Sequence, residues 1–234
     1  MTLRIVDRPS PNHDARPEGA VIDMLVLHYT GMKTAQEALA RLCDPAAKVS
    51  AHYTIDCDGC VYRHVPEVRR AWHAGVSFWA GEPNVNAHSI GIELVNPGHE
   101  FGYVPFTDDQ IDSLIEIAQG VVARHSIAPA RVLGHSDVAP ARKADPGELF
   151  PWQRLAENGI GVWPPPLPLG GKGQREGDAS FVENLTRFGY GVPPAVDVPL
   201  EAVVTAFQRH FRPSKIDGIC DLDCETLLNA LLTH

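Results

Sequence analysis

Three side chains in this 234-residue chain fall where protein chemistry is readily done. His28 closes the apolar run VIDMLVLH at residues 21–28, and His135 follows the shorter run RVLG at 131–134. The ends of buried strands combine rigid backbone with access to solvent, so side chains there are well placed as ligands. Asp145 comes ten residues after His135, in a stretch interrupted by Pro140 and Pro146. Prolines forbid a continuous helix through it, so the segment must loop, and a loop can return Asp145 to His135. Two imidazoles and one carboxylate suit zinc, with a fourth position left for water. The bland alternative is that these are ordinary core or surface residues.

Glu93 is the second anomaly. It interrupts IGIELV within a strand expected over 89–95, where Ile90, Ile92 and Leu94 share one face and Glu93 takes the other. If that face is buried, desolvation raises the carboxyl pKa, as a general base beside an activated water requires. If it is open to solvent, the residue is unremarkable. Lys143, two residues before Asp145, can aim a cation at a developing oxyanion, or be an exposed loop lysine. The same ligand types also suit iron(II), and His135-Ser-Asp137 has the spacing of a facial triad. Its distal histidine would have to be His210 or His234, in a distant helical region, and a many-stranded barrel pattern is missing. That reading is disfavoured.

The elements that must hold these residues alternate between strand and helix. Thr34-Ala-Gln-Glu37 is a capping box that opens a helix with Ala38, Leu39 and Leu42 inward. Thr107 and Gln110 form a second box, opening a helix to about His125 with Ile111, Leu114, Ala118 and Val121 at helical spacing. Alternation of this kind implies an α/β fold, a central mixed sheet flanked by helices. The stretch GVWPPPLPLGGKGQREGD, 161–178, reads as a Pro/Gly-rich linker. It divides a domain at 1–160 from a tail at 179–234. The tail carries three amphipathic helical stretches, the last capped by Asp223, and a three-helix unit can close its own core.

Composition narrows the function. A net charge of −9 argues against a nucleic-acid partner, and no apolar run reaches the roughly 20 residues of a membrane span. The first residues lack an apolar signal region, so the chain as given reads as cytoplasmic. Five cysteines are too few and too uneven for a disulfide framework. Cys57-Asp-Gly-Cys60 has the spacing of a redox or zinc pair. However, Asp58-Gly59 is hairpin-turn chemistry between strand-like runs at 53–56 and 61–65, and turn cysteines without function are the reading adopted. A zinc site with Cys220 and Cys224 is the alternative.

Taken together, LHYT, VSAHYTID, AWHAG, SIGIELVN, GHSDVAPARKADPG and LFPW occur in this order between residues 21 and 163. The set resembles the zinc-dependent N-acetylmuramoyl-L-alanine amidases of the AmpD and AmiD type, related to peptidoglycan-recognition proteins. The tail, with FGY, VVTAFQRHFRP, IDG and ETLLNALL, resembles a three-helix peptidoglycan-binding module, a pairing typical of AmiD. Where such modules have a Gly-containing turn, this chain has Cys220-Asp-Leu-Asp. The resemblance implies zinc ligands at His28, His135 and Asp145, a catalytic acid/base at Glu93, and an intermediate-stabilising lysine at Lys143. It further places His73, Asn86 and Tyr29 along the substrate cleft and leaves His52 structural. The implied substrate is the amide joining N-acetylmuramic acid, or its anhydro form, to L-alanine of a stem peptide, and the implied role is peptidoglycan recycling on muropeptides. Two alternatives remain: a periplasmic, envelope-located amidase acting on intact peptidoglycan, and a non-catalytic peptidoglycan-recognition protein.

Overall fold

The computed structural model describes residues 3–167 and 178–233, so 168–177 of the expected linker lie outside the described residues. Among the described residues eight strands form in chain order: β1 Ile5–Asp7, β2 His13–Ala15, β3 Met24–Tyr29, β4 Tyr53–Ile55, β5 Val61–Arg63, β6 Arg69–Ala71, β7 Ser89–Leu94 and β8 Val132–Gly134. Six of them make one mixed sheet in the order β1-β5-β4-β7-β3-β8, and β2 pairs with β6 apart from it. Only β4 and β5 run antiparallel within the large sheet, joined by the expected hairpin. The helices are α1 Ala35–Cys43, α2 Val85–His88, α3 Gly98–Phe101, α4 Asp108–His125, α5 His135–Val138, α6 Trp152–Glu157, α7 Asp178–Phe188, α8 Leu200–Phe211 and α9 Leu222–Leu231.

The parallel centre β4-β7-β3-β8 follows from its residues. Met24 to Leu27 are wholly buried, as runs in a parallel sheet covered on both faces must be. The strand starts at Met24, later than the apolar run suggested, because Val21 lies in solvent at 63% exposure. Alternation then sorts the two faces. Leu25, Leu27, Ile90 and Ile92 pack under α4 with Ile111 and Leu114. Met24 and Val26 face the opposite way. Burying one such side chain contributes about 1.5–3 kcal/mol.

Two caps differ from expectation. Thr107 Oγ1 accepts the Gln110 N–H at 3.2 Å, but the Gln110 side chain does not return to Thr107. It turns inward and donates to the carbonyls of Ile55 and Val95 at 2.9 and 3.1 Å, tying α4 to the sheet. Gln110→Leu is therefore expected to cost about 1–2 kcal/mol from two lost buried hydrogen bonds. An unchanged urea midpoint would show that the tie contributes nothing. At α9 the cap is Asp221 instead of Asp223; its carboxylate accepts the Cys224 N–H at 3.1 Å because the helix begins at Leu222.

The tail does not close a core by itself. Phe181, Leu185, Phe207 and Leu228 join Met24, Val26, Trp79 and Leu133 of the sheet region in one apolar cluster. Trp79 bridges the two, edge-on to Tyr190 at 4.8 Å and to Phe188 at 6.0 Å. Gly189 permits the approach: its φ is +135°, and a Cβ there would lie 2.6 Å from the Trp79 ring. No described helix is long and apolar enough to cross a membrane.

Candidate metal centre and cleft

Strand register assembles the site. His28 on β3 lies opposite Glu93 on β7, so both side chains leave the same face of the sheet. Leu27 pairs with Gly134 at the end of β8, which puts His135, the next residue, beside His28. The loop after α5 then folds back, with Ser136 N–H donating to the Asp145 carbonyl at 2.9 Å. As a result His28 Nδ1, His135 Nδ1 and one Asp145 oxygen lie 2.9–3.1 Å from one another, all three residues buried. Among the described residues this is the one cluster with metal-holding spacing.

The hydrogen-bond network decides where the protons sit. Ser89 Oγ–H donates to the Val85 carbonyl at 2.7 Å, so that oxygen can only accept from His73 Nε2–H at 3.1 Å. Neutral His73 must then accept at Nδ1, from His28 Nε2–H at 3.0 Å. His135 Nε2–H donates to the Ala74 carbonyl at 3.1 Å. As neutral rings, His28 and His135 then present bare Nδ1 lone pairs toward the Asp145 carboxylate. Three acceptors this close, with no donor between them, repel unless a cation joins them. Two imidazole nitrogens and a carboxylate oxygen, each imidazole oriented by a second hydrogen bond, form a donor set that fits zinc.

Charge states agree with this arrangement. Burial first, then His135, lowers His28 to about 4, and burial with the surrounding histidines holds His73 well below the usual range. Glu93 moves the other way: burial, then the Asp145 charge, raises it well above an ordinary glutamate, with Lys143 opposing. One Glu93 carboxylate oxygen is buried without a hydrogen-bond partner. Glu93 and Lys143 both line a cleft of about 280 Å³ with His73, His135, Asp145 and Tyr29.

The remaining sequence candidates divide. Tyr29 is half-buried on the cleft wall, its hydroxyl 2.9 Å from His99 Nδ1. His73 lies at the cleft floor with its ring committed to His28 and Ser89; Gly91 makes room for it, since a Cβ there would come within 2.4 Å of the ring. Asn86 is not among the cleft-lining residues. Its side-chain oxygen accepts the N–H groups of His73 and Ala74, holding the loop behind the site. His52 is buried, accepting Gly91 N–H at 2.9 Å. Asp137 points away from the cluster and bonds to His210, so the facial-triad geometry does not form. No disulfide links the five cysteines, and Cys57 and Cys60 sit in the β4–β5 turn, where Asp58 accepts the Cys60 N–H. Sequence reasoning missed Ser89, the Ala74 carbonyl and His99; no local pattern distinguishes them.

Residues 18–148 match the family described as N-acetylmuramoyl-L-alanine amidase. The chain is 40% identical over 231 residues to N-acetylmuramoyl-L-alanine amidase AmiD of Escherichia coli K12, covering 90% of this chain and 82% of that protein. It is 37% identical to 1,6-anhydro-N-acetylmuramyl-L-alanine amidase AmpD of Enterobacter cloacae, covering 63% of this chain and 86% of the relative. The solved complex of E. coli AmiD with anhydro-N-acetylmuramic acid-L-Ala-D-gamma-Glu-L-Lys superposes with a TM-score of 0.82 at 39% identity, covering 93% and 91% of the two chains. The chain belongs to the N-acetylmuramoyl-L-alanine amidase family.

Proposed function

We propose that this protein hydrolyses the amide between N-acetylmuramic acid, or its anhydro form, and L-alanine of stem peptides, with soluble anhydromuramyl peptides as its substrates in peptidoglycan recycling. The single observation that carries the reading is the cluster of His28, His135 and Asp145 beside a buried, unpartnered Glu93 oxygen in an open cleft. His28, His135 and Asp145 would hold one zinc ion, which supplies a Lewis acid that activates water and polarises the carbonyl. Glu93 takes a proton from the attacking water; its raised pKa makes the carboxylate a strong base. Lys143 on the cleft rim places its ammonium where charge grows on the amide oxygen. The C–N bond breaks as Glu93 returns the proton to the leaving amine of L-alanine, so the carboxylate is regenerated. Tyr29 on the wall borders the bound muropeptide, and His73 holds His28 from behind.

A second reading, action on intact peptidoglycan in the periplasm, is favoured by one observation. A shallow groove of about 490 Å³ shares Lys143 with the cleft and continues to Thr205 and Arg209 on α8. Mass spectrometry of two digests by zinc-loaded protein separates these readings, one with soluble anhydromuramyl-tripeptide and one with sacculi. Cleavage of the soluble peptide alone supports recycling in the cytoplasm, and release of stem peptides from sacculi supports the envelope reading. A chelator is expected to stop either reaction and added zinc to restore it. Intact substrate in both digests would sink the enzyme reading in favour of a non-catalytic recognition protein.

A further inference from the structure

The tail reaches the metal centre through one buried carboxylate. Asp137, 1% exposed, lies two residues beyond His135 in the single turn of α5. Its Oδ2 accepts the Gly134 N–H at 2.7 Å, which closes the turn where β8 ends and His135 begins. The other donors come from beyond the linker. His210 Nδ1–H donates to the same oxygen at 2.7 Å, and the Tyr190 hydroxyl donates to Oδ1 at 2.7 Å. His210 itself is held flat against Trp152 and Phe211, with ring centroids 3.7 and 3.9 Å away.

A carboxylate buried this deeply stays in place only while its lone pairs are satisfied. With the tail donors removed, it is driven toward water and pulls on the one side-chain bond that caps the Gly134–His135 turn. The His135 ring is otherwise held by its bond to the Ala74 carbonyl, so a shift of the turn misaligns Nδ1 from His28 and Asp145. We propose that Tyr190 and His210 are positioning residues for the metal centre. Acting through Asp137, they set the orientation of His135 and with it the affinity for zinc, which makes the C-terminal helices part of the site's support. This inference rests on the zinc reading above.

The test uses full-length protein with Tyr190→Phe, His210→Phe and His210→Asn. Phenylalanine at 210 keeps the ring stack and removes the donor, whereas asparagine keeps a donor near the Nδ1 position. Zinc affinity is measured by competition with a chromophoric chelator, and the visible spectrum of the cobalt-loaded protein reports ligand geometry. Both are read well below each variant's unfolding temperature. Tyr190→Phe and His210→Phe are expected to weaken zinc binding about 10- to 100-fold and to alter the cobalt spectrum, with His210→Asn close to the unsubstituted protein. A purely structural role would lower the unfolding temperature and leave affinity and spectrum unchanged. That result in Tyr190→Phe, which removes a single oxygen, overturns the inference even if His210→Phe fails to fold. Failure of the unsubstituted protein to bind zinc would instead overturn the zinc reading itself.

Discussion

Glu93→Gln is expected to lower turnover of the muramoyl–alanine amide by about 10²–10⁴-fold while the zinc content remains one per chain. Glutamine matches the shape of the carboxylate but cannot accept a proton from water at neutral pH, so binding and metal retention survive and proton transfer does not. The proposed metal ligands reach the centre from β3, α5 and the loop that follows it, and Glu93 comes from β7, so the two proposed functions separate by element. Metal analysis beside steady-state kinetics checks this; near-normal turnover would remove Glu93 from the chemistry. The same substitution should act oppositely on stability. The folded pKa of Glu93 is raised, so its stabilising effect is complete below its unfolded value, 4.5, and is lost as pH rises through the folded value. At pH 8 the metal-free Glu93→Gln protein should therefore unfold at a higher temperature than its parent, with the gap closing toward pH 4.5. Parallel melting curves across that range would contradict the account.

Asp145→Asn is expected to abolish metal retention under dialysis against a chelator and to reduce turnover at least about 10³-fold, since the metal's contribution is several kcal/mol at about 1.4 kcal/mol per tenfold. The carboxylate is the one negative charge in the cluster, and neutral asparagine leaves two imidazole lone pairs facing an uncharged amide. That amide can also donate a hydrogen bond to Nδ1 of either histidine. Zinc at one equivalent and unchanged activity would mean that Asp145 is not a ligand. Circular dichroism of the variant should match the parent, because Ser136 is bonded to the Asp145 backbone carbonyl and not to its side chain.

Much of this molecule is local and therefore written in the order of its residues. Alternation within MLVLHY and SIGIEL separates the face under α4 from the face that carries His28 and Glu93, because side chains in a strand alternate. The prolines at 140 and 146 require a loop, and the loop brings Asp145 back. Thr34 and Thr107 cap their helices as their positions suggest. Gln110 shows where local reasoning stops: its spacing fits a capping box, yet the backbone carbonyls of Ile55 and Val95 lie within reach only after the sheet has formed.

The tertiary structure alone decided which protons the centre carries and what holds it. The relay from Val85 through Ser89 and His73 to His28 joins residues up to 61 positions apart in numbering, and only packing tells a buried imidazole which neighbour will accept its proton. Asn86 looked like a cleft residue and became a backbone support for the same reason. The tail, whose amphipathic helices suggested a unit with its own core, found Trp79 and the face of β3 to cover. An apolar stripe specifies that a helix must be covered; the surface that covers it is settled when the whole chain has folded.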